Sequence, residues 1–229
     1  MASASEGAPL GLGAQAAQVS AEFPEETPES RRQRGSRALS VAARLLAGAS
    51  TFFFLAFVFA YFYLRSINAD HMWHPKHVNP NQGLGAAFAA CLVLSVGLTL
   101  LAGRREQAGS RDWTAPAIGA LVLGLAAAAL QCIEYTVQGF GPTNGAYASV
   151  FCAWTGFYLI ALLATMYWLE IQVATELRDR REPTARGGEG TVTFEHPDRL
   201  LPRGTDALVF YWTFLGGIGL LTYVVLYLL

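Results

Sequence analysis

Five stretches of the chain carry no charged residue: Leu45–Leu64, Leu84–Ala102, Trp113–Cys132, Tyr147–Leu169 and Ala207–Leu229, each 19 to 23 residues long. Between them the composition turns abruptly to Arg, Glu, Asn, Pro and Gly. An amphipathic helix of a soluble domain would carry a charged stripe at helical spacing, and these runs carry none. A hydrocarbon core of about 30 Å takes about 20 apolar residues at about 1.5 Å rise each. The pattern predicts an all-α fold: a polytopic membrane bundle of five transmembrane helices, at about 39–65, 84–103, 113–138, 147–171 and 206–229.

Breaker residues punctuate the same partition. Asn79, Pro80, Asn81 and Gly83 precede the second span, Pro116 sits near the start of the third, and Gly139, Gly141 and Pro142 follow it. Small residues recur inside the spans, as Ala56 and Ala60, as Ala120, Gly124 and Ala128, and as Gly216, Gly217 and Gly219. Such spacing lets helices approach closely where lipid gives no hydrophobic drive to associate. The fourth connection, Gln172–Asp206, is the one long loop, and its first turns to Arg181 should extend the fourth helix before Pro183 and Gly187–Gly188 stop it. Residues 1–38 read as a disordered tail, mobile to about Ser36, because Ala, Ser, Gly, Glu and Pro cannot bury enough apolar surface to offset ordering. No internal repeat or inverted symmetry is evident.

Basic residues set the expected orientation. Arg31, Arg32, Arg34, Arg37 and Arg44 precede or edge the first span. The second connection carries Arg104, Arg105 and Arg111, and the fourth carries six more arginines. Placing these segments in the cytoplasm puts 14 of the 16 basic residues inside. The N-terminus is then cytoplasmic and Leu229 lies outside.

Bulk numbers narrow the function classes. A net charge of −1 gives no basic field for nucleic acid. Cys91, Cys132 and Cys152 lie inside apolar runs with no CxxC pair, so they read as buried small hydrophobes rather than a disulfide framework or thiolate metal site. The first 30 residues hold no Lys or Arg and no apolar core, unlike a secretion signal.

Chemistry at membrane depth usually shows as an ionisable residue. Glu134 and Glu170 are the two next to spans, both near an end. Glu134 suits either an ion or proton ligand, or a carboxylate that pins a helix end through hydrogen bonds. The second role is favoured, since no further titratable residue continues a relay, and Tyr135 and Ser149 are the expected partners. His71, His74 and His77 are the remaining metal candidates, but Pro75 interrupts them and a solvated outer loop is favoured. No span contains His, which excludes haem ligation by this chain. No phosphate-binding loop or nucleophile elbow is present.

At the third and fourth spans the residues become specific. Leu130-Gln131-Cys132-Ile133-Glu134-Tyr135, then Tyr147-Ala148-Ser149-Val150-Phe151 and Thr155-Gly156-Phe157, resemble the LQxxEY and YGSxFFxxTGFH landmarks of subunit III of haem-copper terminal oxidases. Phe57–Phe62 resembles the aromatic run of that family's corresponding helix, and Phe210–Phe214 its WYWHF. Five spans resemble the shorter bacterial form, which lacks the first two of seven helices. The departures lie at titratable positions. The family's two histidines after TGF are Tyr158 and Ala161, its last-helix His and Asp are Thr213 and Gly216, and its buried carboxylate falls on Ser50. A divergent member is implied.

The resemblance implies a non-catalytic, structural subunit of a bacterial cytochrome c oxidase in the aerobic respiratory chain, an obligate hetero-oligomer in the inner membrane. Subunits I and II would carry haem and copper, this chain would carry no cofactor, and phospholipid would fill its grooves. Gln131, Glu134, Tyr135, Thr155, Gly156, Tyr211 and Trp212 become the expected structural and interface residues. An accessory subunit of a nitric oxide reductase or a quinol oxidase fits the same landmarks. An independent small transporter is the rival of another class, and the midplane charges and broken helices it would need are missing.

Overall fold

The computed structural model describes residues 28–67, 73, 78–181 and 204–229. All regular structure there is helical: α1 Pro28–Ser66, α2 Gln82–Gln107, a short 3₁₀ turn Arg111–Trp113, α3 Thr114–Val137, α4 Ala146–Arg181 and α5 Thr205–Tyr223. A π-turn, Val224–Leu228, completes α5. All five helices are long and apolar enough to cross a membrane, as the charge-free runs predict.

Two helices are longer than their apolar runs. Helix α4 reaches Arg181 as expected, with 36 residues spanning about 54 Å. Helix α1 begins at Pro28, so residues 28–38 of the expected tail are helical, and residues 1–27 lie outside the described residues. Propagation explains the early start. Once a span has nucleated a helix, each added residue gains a bond, and Glu29, Arg31, Arg32, Gln33, Arg34 and Arg37 are good helix formers.

Hydrogen bonds fix which helix ends lie together. Arg65 at the end of α1 donates to the Leu229 carbonyl at 3.0 Å. At the opposite end, Gln107 of α2 donates to Asp206 of α5 at 3.0 Å. The helices therefore alternate in direction along the chain. Helix α5 is central, with half of its apolar window buried against 17% for α1. It packs on α1, α2 and α4, while α2 lies along α3. Ser95 of α2 donates to the Ala120 carbonyl of α3 at 2.7 Å, holding that pair.

Glycines set the depth of the α2–α5 contact. A Cβ on Gly216 would run into Val96, and one on Gly219 into Leu92 and the Tyr158 hydroxyl. Gly217 faces open space, so only part of the glycine group forms the contact. Ala120 and Ala128 are buried beside Gly124, whereas Ala56 of α1 is exposed. The cysteines correct the expectation that all three are buried. Cys132 is exposed and Cys91 and Cys152 are half-buried, all unpaired, because each sits beside rather than on the inward stripe of its helix.

Candidate functional site

The densest polar cluster forms where α3 and α5 end and α2 and α4 begin. Asn81 caps α2, its Oδ1 accepting the backbone N–H groups of Gly83 at 3.0 Å and Leu84 at 3.2 Å. Its own backbone N–H donates to Oε1 of Glu134 at 3.2 Å. The Tyr227 hydroxyl donates to the other oxygen, Oε2, and Gln131, three residues before Glu134, makes a long contact to the same atom at 3.5 Å. Glu134 is only 1% exposed. A carboxylate in the last turn of its own helix faces an unfavourable dipole. Here it is turned to the start of α2, where the Asn81 N–H and the positive end of the helix dipole receive it.

The end of α5 is held from all sides. Gln82 donates to the Tyr227 carbonyl, and the Tyr147 hydroxyl donates to the Leu226 carbonyl at 2.5 Å. With Arg65 on Leu229, donors from α1, α2 and α4 thus satisfy carbonyls that the helix end leaves open. The Arg65 guanidinium also lies over the Tyr61 ring, 5.9 Å from its centroid. A cavity of about 460 Å³ borders this region, lined by Tyr61, Arg65, Trp73, Gln82, Tyr147 and Tyr227 among others.

A second joint ties α3 to α4. The Tyr135 hydroxyl donates to Thr155 Oγ1 at 2.7 Å, and Thr155 donates to the Phe151 carbonyl at 2.6 Å. Gly156 lies beside it, where a Cβ would come within 3.9 Å of the tyrosine oxygen. Further along the bundle, the Tyr211 hydroxyl and Ser50 Oγ lie 3.2 Å apart across α1 and α5. Trp212 is buried near Gly124, and its indole N–H, like that of Trp154, has no partner among the described residues. Tyr158 donates to the Leu215 carbonyl at 3.0 Å.

Sequence reasoning placed Glu134 at the right helix end but gave it the wrong partners. Tyr135 is engaged by Thr155, and the Ser149 hydroxyl is directed at the Pro142 carbonyl at 2.5 Å and the Gly145 carbonyl at 3.0 Å. On a helix, neighbouring residues point about 100° apart, so Tyr135 faces α4 while Glu134 faces α2 and α5. Tyr227, Asn81, Gln82 and Arg65 were missed. Asn81 ahead of an apolar run is a readable cap signal, whereas nothing local marks Tyr227. Glu170 is exposed, and Glu176, one helical stretch on, is buried. His71, His74 and His77 lie outside the described residues. Among the described residues no group of three His, Cys, Asp or Glu is placed to hold a metal ion.

The chemistry of the cluster is that of a joint. Glu134 pairs with a hydroxyl and an amide, groups that hold a carboxylate in place. No family model matches the chain, and no curated protein matches it.

Proposed function

We propose that the chain is a structural, non-catalytic subunit of the subunit III type in a bacterial haem-copper terminal oxidase, most simply a cytochrome c oxidase. It docks in the inner membrane against the large haem-bearing subunit. The copper-bearing subunit II completes the complex, and phospholipid fills the grooves between helices. The excess of arginine before α1 and between α4 and α5 supports a cytoplasmic N-terminus. The cluster around Glu134 then lies on the outer side.

The observation that carries the reading is the use made of the motif residues. Gln131 and Glu134 form one helix joint and Tyr135 and Thr155 another, with Gly156 alongside the second. Positions where the resembled family has titratable side chains hold groups that serve packing. Ser50 meets Tyr211, and Tyr158 bonds a backbone carbonyl. Both facts favour a scaffold over a proton route.

Purification of the tagged chain from its own membranes under mild detergent tests the proposal. The expected result is a complex whose optical spectrum shows haem, together with a copper-containing subunit. A chain recovered alone, or with a haem protein that reduces nitric oxide and lacks oxidase activity, would overturn it.

A further inference from the structure

The inward stripe of α5 runs through Leu208, Trp212, Leu215, Gly219 and Thr222. Continued at helical spacing it reaches Leu226, and Tyr227 would then sit at the edge of the stripe, between the directions of buried Gly216 and of Leu220, which is 46% exposed. Tyr227 is instead buried, the third of three consecutive buried residues after Val225 and Leu226. The backbone supplies the reason. The Leu229 N–H bonds the Val224 carbonyl at 3.2 Å, five residues back, so the turn holds one residue more than an α-turn. Through such a turn each residue advances by less than the about 100° of an α-helix, so Tyr227, the fourth residue of the turn, lags toward the inward stripe.

We infer that the π-turn Val224–Leu228 is a register device: it absorbs one surplus residue so that Tyr227 faces Glu134 and the last carbonyls of α5 face Gln82, Tyr147 and Arg65. Three features fit around the result. The Tyr227 ring lies in the hollow left by the missing side chain of Gly85, its hydroxyl is on Glu134, and its carbonyl is on Gln82. The device is independent of which partner the chain binds, since every group in it belongs to this chain. It makes the last seven residues the piece that closes this end of the bundle.

An insertion absorbed in a turn has an unusual signature, because removing it should do little. The test uses the full chain in detergent, with thermal unfolding midpoints for four backgrounds and Tyr227→Phe placed in each of the first three. In the unaltered chain, loss of the hydroxyl lowers the midpoint by about 3–10 °C. Deletion of Val224 alone converts the turn to an α-turn and leaves Tyr227 in place. That chain accumulates, and Tyr227→Phe lowers its midpoint by the same amount. Deletion of Val224 and Val225 together rotates Tyr227 away, so the chain either fails to accumulate or no longer responds to Tyr227→Phe. In the fourth background, Gly85→Ala, the midpoint falls because the methyl group displaces the ring. The inference is overturned if Tyr227→Phe is silent in the unaltered chain, if the single deletion fails to accumulate or loses the response, or if the double deletion keeps it.

Discussion

The hydroxyl of Tyr158 reaches from α4 to the Leu215 carbonyl of α5 through the space that Gly219 leaves by having no side chain. A tyrosine here is long enough to replace a packing contact with a hydrogen bond between two central helices. The glycine one turn on is what gives it room. The pair shows how Tyr158 ties two central helices together without an imidazole.

Gly219→Ala should therefore cost stability, by about 1–3 kcal/mol, since the added methyl group meets both Leu92 and Tyr158. Gly217→Ala, two residues away with nothing within 4 Å, should leave the unfolding midpoint unchanged or slightly raised. Thermal unfolding of the two variants in the same detergent checks the contrast. Equal effects at both positions would remove the role given to the Gly219 hollow.

The Tyr135–Thr155 joint is accessible to a double-mutant cycle. Tyr135→Phe loses the bond between the two side chains and Thr155→Val loses that bond and its own to the Phe151 carbonyl, and the coupling between them is expected at about 0.6 kcal/mol, with an upper range near 1.7. Gly156→Ala should be tolerated, because its Cβ would meet the Tyr135 oxygen at 3.9 Å, an ordinary contact. Additive effects of the two substitutions would show that the 2.7 Å contact contributes nothing of its own.

Much of this fold is legible in the sequence, for one physical reason. A membrane core demands long uncharged runs, so span number and approximate bounds can be read directly, while the charged extension of the fourth helix to Arg181 is read from the breakers Pro183 and Gly187–Gly188 that follow it. The start of α1 at Pro28 is less legible, because a polar but helix-competent stretch looks like a tail until a neighbouring span nucleates it. Glu134 is legible as the buried carboxylate of α3. Its partner is not, since Tyr227 lies 93 positions away and sits in a π-turn that no composition signal announces. Motif residues that look like one site in the sequence divide into two joints, because adjacent positions on a helix face different neighbours.

Ser50→Ala should leave function intact. The hydroxyl makes a single part-buried contact to Tyr211 at 3.2 Å, and a serine does not exchange a proton near neutral pH. Within the proposed oxidase complex, protons pumped per electron should match the unaltered complex. A large fall in that ratio would mean that position 50 retains a proton-handling role.

Metal and haem analysis of the purified chain, freed of partners, should find neither in stoichiometric amount. No cluster of ligating side chains occurs among the described residues. A copper signal at one per chain would direct attention to His71, His74 and His77, and its loss in the triple alanine variant would identify them as ligands.

Glu134 as a joint between helices, with no part in turnover, is tested most directly by comparing Glu134→Gln with Glu134→Leu. A glutamine can accept from the Asn81 N–H and donate to the Tyr227 oxygen, so the geometry survives. A leucine leaves the buried Tyr227 hydroxyl and the Asn81 N–H without their acceptor, at roughly 1–3 kcal/mol for the buried hydroxyl. The measurement is the amount of haem-bearing partner that copurifies with each tagged variant, alongside oxygen consumption per haem. The expected result is near-normal recovery for Gln, much reduced recovery for Leu, and unchanged turnover per haem in whatever complex forms. Full assembly of both variants with oxygen consumption collapsed would contradict it and place Glu134 on a proton route.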